Sequence, residues 1–216
     1  MLIEVWGDLA LFTPPEFHTE RYTYDVPTPS SINGILQAIY YHPCMRWVVN
    51  KIYVLNPIRH FSLRRNETKD VLSFANIKSV MNGNKDVDLR INADECGDMR
   101  STVCLRDVHY VIDCSFVMTD KANPTDSEAK VCGIIQKRLR NGKCFHQPYF
   151  GVKEFPAYFQ LWEGGEIVTA YPDTDQDLGI MLYGMDYTDP QNIIPVFFKA
   201  HLEKGVLDLS KCEVIR

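Results

Sequence analysis

Two spacings of apolar residues alternate along the chain, and the switches between them predict its elements. The segment LIEVWGDLALF (residues 2–12) has the β-branched and aromatic content of a strand. PSSINGILQAIYYHP (29–43) follows a helical period: Ile32, Ile35, Leu36 and Ile39 form one apolar stripe, Ser30 or Ser31 can cap its start, and Pro43 stops it. Tyr40 then falls on the last turn. RWVVNKIYVL and IRHFSLRRN read as strands broken at Asn56-Pro57, and on the second His60, Ser62 and Arg64 share a face by the two-residue period.

Residues 66–100 are polar and punctuated by NGN and CGD, which predicts a long loop or insertion. STVCLRDVHYVIDCSFVM is a long strand. NPTDSEAKVCGIIQKRLRNG is a helix with Thr125 and Glu128 as a capping box and Gly142 as its terminator. Val131, Ile135 and Leu139 make its buried stripe, with Lys130, Ile134, Lys137 and Arg138 beside it. PAYFQLWE, EIVTAY, GIMLYGMDY and IIPVFFKAHLE follow as strands separated by turn residues. The order matches an α+β, ferredoxin-like βαββαβ unit over residues 1–150, with an antiparallel β extension over 151–216.

Composition narrows the class. With 216 residues, 45% hydrophobic and 24% charged, the chain can bury a substantial core. It has no apolar run long enough to cross a bilayer and no leader-like start, so we expect a cytoplasmic protein with no membrane partner. Its seven cysteines form no CxxC pair, which argues for reduced packing residues rather than a disulfide framework or zinc finger.

Charge changes the picture more. The formal net charge is -5, yet Val26–Asn66 contains no acid and carries Arg46, Lys51, Arg59, Arg64 and Arg65. Lys130–Lys153 likewise contains no acid and carries Lys130, Lys137, Arg138, Arg140, Lys143 and Lys153. Those windows hold 11 of the 23 basic residues and none of the 28 acidic ones, a partition that favours a polyanion on one face. Phe145 and Tyr149, set among the cations of the second window, suit stacking by single-stranded RNA.

No Walker loop, GxSxG elbow or HExxH occurs, and Asp173, Asp175 and Asp177 lack the glycine and final glutamate of a calcium loop. We therefore expect no metal and no cofactor, and rank a metal-dependent DNase last. RNA carries its own nucleophile, the 2′-hydroxyl, and side chains alone can deprotonate it, stabilise the phosphate and protonate the leaving oxygen. Tyr40, Lys130 and His146 lie in or beside the basic windows and are the candidates for that work.

The segments GDLALFT, RYTYDVPTPSSINGILQAIYYHP, IYVLNPIRHFSLRRNE, GKCFHQPYFGVKEFPAYF and LGIMLYGMDY together resemble the CRISPR-associated subtype I-C repeat-processing family, the Cas-five family in its c/d variant. The resemblance runs to about residue 207. It implies an RRM-like domain that binds the repeat hairpin of precursor CRISPR RNA and cuts it without metal at the base of the stem. It also implies that the 5′ handle is retained in a multi-subunit type I-C surveillance complex.

The family's tyrosine falls on Tyr40 and its lysine on Lys130. Its frequent histidine, directly after that lysine, is here Val131, so the resemblance leaves proton transfer to another group such as His146, or cleavage slow or absent. Arg46, Arg59, Arg64, Arg65, Lys137, Arg138, Arg140, Lys143, Phe145 and Tyr149 are the expected RNA contacts. A non-catalytic RNA-binding subunit of the same complex is the alternative.

Overall fold

The computed structural model describes residues 1–17, 20–84, 86–189 and 191–215. The elements are β1 (Leu2–Ala10), α1 (Pro29–Ile39), β2 (Met45–Val54), β3 (His60–Thr68), α2 (Phe74–Met81), α3 (Ala93–Cys96), β4 (Gly97–Met118), α4 (Glu128–Arg140), β5 (Tyr158–Leu161), β6 (Gln176–Asp186), β7 (Ile194–Glu203), β8 (Val206–Asp208), a 3-10 turn (Leu209–Lys211) and β9 (Val214–Ile215). The fold is mixed α/β, dominated by one antiparallel sheet in the order β5-β1-β4-β2-β8-β7-β6, with β3 on β4 and β9 on β7. The chain forms two compact units, residues 1–61 with 103–216, and residues 62–102.

In the larger unit, strand alternation decides what the helices cover. Ile3 and Val5 of β1, Ile52 and Val54 of β2, and Tyr110, Ile112 and Cys114 of β4 turn into a core shared with Ile32, Ile35, Leu36 and Ile39 of α1 and Val131, Ile135 and Leu139 of α4. Each such side chain, fully buried, stabilises the fold by about 1.5–3 kcal/mol. Helix α1 packs on β2, β6 and α4, and α4 packs on β5.

The helix starts differ from the predicted caps, α1 beginning two or three residues earlier and α4 two residues later. Thr28, not Ser30 or Ser31, caps α1, its hydroxyl accepting from Ser31 N–H at 3.2 Å with Pro29 in the first turn. Ser127, not Thr125, caps α4 and accepts from Lys130 N–H at 3.3 Å. Gly142 does follow the end of α4, at φ +61, in the left-handed region a glycine enters without Cβ strain.

Two further expectations are corrected. The polar stretch 66–100 is not a loop: it contains α2, α3, the end of β3 and the start of β4. EIVTAY forms no strand, because Ala170 N–H bonds to Val54 O and the Thr169 hydroxyl to Lys204 O instead of to a ladder. The tail instead gains the short β8 and β9. Among the described residues, no helix is long and apolar enough to cross a membrane.

Candidate active site

The end of α1 organises the site. Tyr40 is its C-cap: the backbone N–H closes the last turn on Leu36 O at 2.9 Å, the carbonyl accepts Trp47 Nε1 at 2.9 Å, and 7% of the residue is exposed. The final carbonyls of a helix have no intrahelical donor and carry partial negative charge. Here α4 and its exit supply the donors.

Arg138 Nη1 donates to Ile39 O at 2.7 Å while its guanidinium lies 5.1 Å from the centroid of the Tyr40 ring. The N–H groups of Phe145 and His146 both reach Ala38 O, at 2.8 and 3.3 Å. Two acid-free segments far apart in sequence thus meet at one helix end. Phe145 and His146 are exposed there, with their rings edge to face.

The start of α4 completes the cluster. Lys130 Nζ donates to Thr125 O at 3.3 Å and lies 3.5 Å from Asp126 Oδ1. The Asp126 carboxylate accepts from the Asn123 N–H at 3.1 Å, and that bond, opposed by partial burial and aided by Lys130, holds it below the usual carboxylate range. Burial raises the Tyr40 hydroxyl pKa, with Cys44 and Asp126 raising it further and Arg138 opposing. At neutral pH Tyr40 is therefore a hydrogen-bond donor.

The remaining positions separate. Lys137 and Lys143 are exposed on α4 and its exit, and Arg46 is exposed near the start of β2. Arg140 pairs with Glu163 at 2.9 Å, both exposed. Tyr149 is half-buried in a bridge with Pro156, and Phe150 beside it lies wholly in the core. Gly151 follows at φ +82, where a Cβ would stand 1.7 Å from Leu11 O, so this turn admits glycine alone.

Arg59 follows the far end of β2, a ten-residue strand that runs on the order of 30 Å. Arg64 and Arg65 belong to the 62–102 unit, where Arg65 meets Glu67 at 3.4 Å. Val131 is 2% exposed within the α4 stripe and unavailable to a substrate.

Sequence reasoning missed three residues at this centre. His42, Cys44 and Asp126 bring a ring nitrogen, a sulfur and a carboxylate oxygen within 4.8 Å of one another, a group able to ligate a metal. His42 and Cys44 flank Pro43 immediately after Tyr40, and Asp126 reads in sequence as helix-cap material. The histidine–cysteine alternation beside a candidate tyrosine was the available signal.

A cavity of about 370 Å³ lies elsewhere, lined by Glu4, Trp6, Asp8, Asp107, His109 and Gln160 among others. Glu4 accepts from Gln160 and pairs with His109 there. Its three carboxylates make it a poor phosphate site.

The family model for Cas5d, described as CRISPR-associated protein (Cas_Cas5), matches residues 1–209. A protein of Mannheimia succiniciproducens named CRISPR pre-crRNA endoribonuclease Cas5d is 39% identical over 211 residues, covering 96% of this chain and 93% of its own length. A protein of the same name from Thermus thermophilus is 32% identical over 226 residues, covering 96% of this chain and 90% of its own. A crystal structure described as a CRISPR-associated protein aligns with a TM-score of 0.71 at 25% identity, covering 100% of this chain and 95% of its own.

Proposed function

We propose, because this chain belongs to the CRISPR-associated Cas5d family, that it is an endoribonuclease that cuts precursor CRISPR RNA within the repeat, at the base of the hairpin. It then keeps the 5′ handle as a subunit of a type I-C surveillance complex in the cytoplasm. The two relatives above are named for pre-crRNA cleavage. The observation that carries the reading for this chain is the meeting of both acid-free segments at the end of α1, around Tyr40, Arg138, Phe145 and His146, with Lys130 joined through Asp126.

The chemistry needs no metal. The 2′-oxygen attacks the adjacent phosphorus, its proton passes to a base, the bond from phosphorus to the 5′-oxygen breaks, and that oxygen takes a proton. The products are a 2′,3′-cyclic phosphate and a 5′-hydroxyl. The Lys130 ammonium and the Tyr40 hydroxyl supply cation and donor to the phosphate oxygens as charge builds. His146, exposed and tethered by its backbone to Ala38, supplies the imidazole for proton transfer. Lys137, Arg138, Arg140, Lys143, Phe145, Tyr149 and Arg46 extend the contact with the hairpin, and Arg59, Arg64 and Arg65 serve RNA beyond it.

The strand order β5-β1-β4-β2, with α1 between β1 and β2 and α4 between β4 and β5, supports a ferredoxin-like, RRM-like domain. In this reading residues 1–150 bind RNA, an insertion lies near 66–100, and 151–216 add the β extension. One observation favours the non-catalytic alternative: the residue after Lys130 is the buried Val131.

Repeat RNA incubated with the purified protein in EDTA decides between them. Cutting to a 2′,3′-cyclic phosphate end supports the nuclease, and tight hairpin binding without cutting supports the binding subunit. Full-rate cutting by His146→Ala removes that histidine from the mechanism.

A further inference from the structure

We infer that His42, Cys44 and Asp126 form a binding site for a borderline-soft divalent ion of the zinc class. Their ligating atoms lie within 4.8 Å of one another before any ion is added. Tetrahedral coordination at zinc, with bonds of about 2.0–2.3 Å, sets ligand atoms roughly 3.5 Å apart, so closure asks for small side-chain movements. Thiolate, imidazole and carboxylate together suit zinc or cobalt(II) and disfavour magnesium and calcium, which take oxygen ligands.

The three groups are held on defined backbone. Cys44 is 1% exposed and its carbonyl accepts from Thr119 N–H at 2.8 Å; its own N–H donates to His42 Nδ1 at 3.3 Å, a hydrogen bond that this nitrogen must give up for the ring to ligate an ion through it. Met45 N–H returns to His42 O at 3.1 Å, closing the turn around Pro43. The Asp126 carboxylate is fixed from the other side by Asn123 N–H at 3.1 Å. The ion would sit between a buried sulfur and two half-buried ligands, with a fourth position for water, the ligand count of an open rather than a closed site.

The site also couples to its neighbours. Asp126 faces Lys130 Nζ at 3.5 Å, and a carboxylate bound to a dication gives up that ammonium. Occupation therefore dislodges Lys130 and blocks RNA cleavage. This consequence rests on the proposed cleavage role of Lys130, whereas the binding itself does not.

Cobalt(II) titration of the full-length, reduced protein is the test. The expected result is one equivalent bound, with tetrahedral d–d bands and a thiolate-to-cobalt charge-transfer band, bleached by zinc. Both bands should be lost in Cys44→Ser and in His42→Ala and kept in Cys132→Ser, each variant being checked for a native circular dichroism spectrum. Absence of the bands in the wild type, or their survival in Cys44→Ser, overturns the site. In repeat-RNA assays zinc should slow the wild type at least about tenfold and leave Cys44→Ser unaffected. Equal inhibition of both overturns the coupling. Should the protein cut no RNA at all, the cobalt bands still report on the site, so failure of the nuclease reading stays distinct from failure of this one.

Discussion

Tyr40 and Val131 both belong to the core, and their side-chain chemistry gives them different work. Tyr40 ends a helix with its backbone fully bonded and its ring under Arg138, so the ring is held in place and its hydroxyl, its pKa raised by burial, can donate. Removing one such donor from developing phosphate charge costs about 10²–10³ in rate. Tyr40→Phe should lower single-turnover cleavage by that factor, while hairpin affinity in a filter-binding assay changes by less than about threefold, since the ring and its cation contact remain. An equal loss of affinity would make Tyr40 a binding residue only.

Val131 marks the opposite case. Replacing it with the histidine common in the family places an imidazole in a stripe that is 2% exposed. An unpartnered polar group there costs about 1–3 kcal/mol. Val131→His should therefore melt several degrees lower and cut no faster than the wild type, as read by calorimetry and single-turnover assay.

At the level of elements, the sequence was legible wherever apolar periodicity was strong. The stripes of α1 and α4 and the alternation of β1, β2 and β4 appear in the structure because each turns a face to the core. Helix α2 was invisible for the converse reason: none of its residues is buried, and Phe74 is 78% exposed, so no stripe exists to be read. EIVTAY has strand composition, but its backbone bonds go to Val54 and its side chains to Lys204, a tertiary preference that no local pattern encodes. Cap positions slipped by a few residues because Thr28 and Ser127 lie outside the apolar period. At the site, Tyr40 and Lys130 stood out by chemistry and resemblance, whereas the grouping of His42 and Cys44 with Asp126 depends on the turn around Pro43 meeting the start of α4.

One inter-element tie is open to a pH test. Asp208, at the end of β8, accepts from the Ser210 hydroxyl and pairs with Lys51 of β2 at 3.1 Å. The Ser210 hydrogen bond first, against a smaller opposing effect of burial, and then Lys51 hold its pKa below the ordinary 3.8. A depressed folded pKa means that the stabilisation is complete above the unfolded value and is lost as pH falls through the folded one. Urea denaturation should show wild type and Asp208→Asn separated by a constant gap from pH 5 to 7 that narrows below about pH 4. A gap independent of pH would show that the carboxylate charge contributes nothing.

Over the whole molecule, a net charge of -5 and an affinity for RNA are compatible only if cations and acids occupy different surfaces. Lys130, Lys137 and Lys143 lie exposed along α4 and its exit, and each phosphate that they neutralise adds about 0.7–0.9 to the slope of log affinity against log salt. Three contacts give a slope of roughly -2 to -3. The Lys137→Ala, Lys143→Ala double variant should flatten it by about 1.5 and weaken binding alike for any repeat sequence, because phosphates carry no sequence information. Glu163 gives the opposite sign: it pairs with Arg140 at 2.9 Å on an exposed surface, and Glu163→Gln releases that guanidinium. Its slope should steepen by up to about 0.9 if Arg140 then meets a phosphate. Fluorescence anisotropy with labelled hairpin over a salt series reads both variants. A wild-type slope near zero would show that these cations do not face the RNA, and would move the binding surface away from the end of α1.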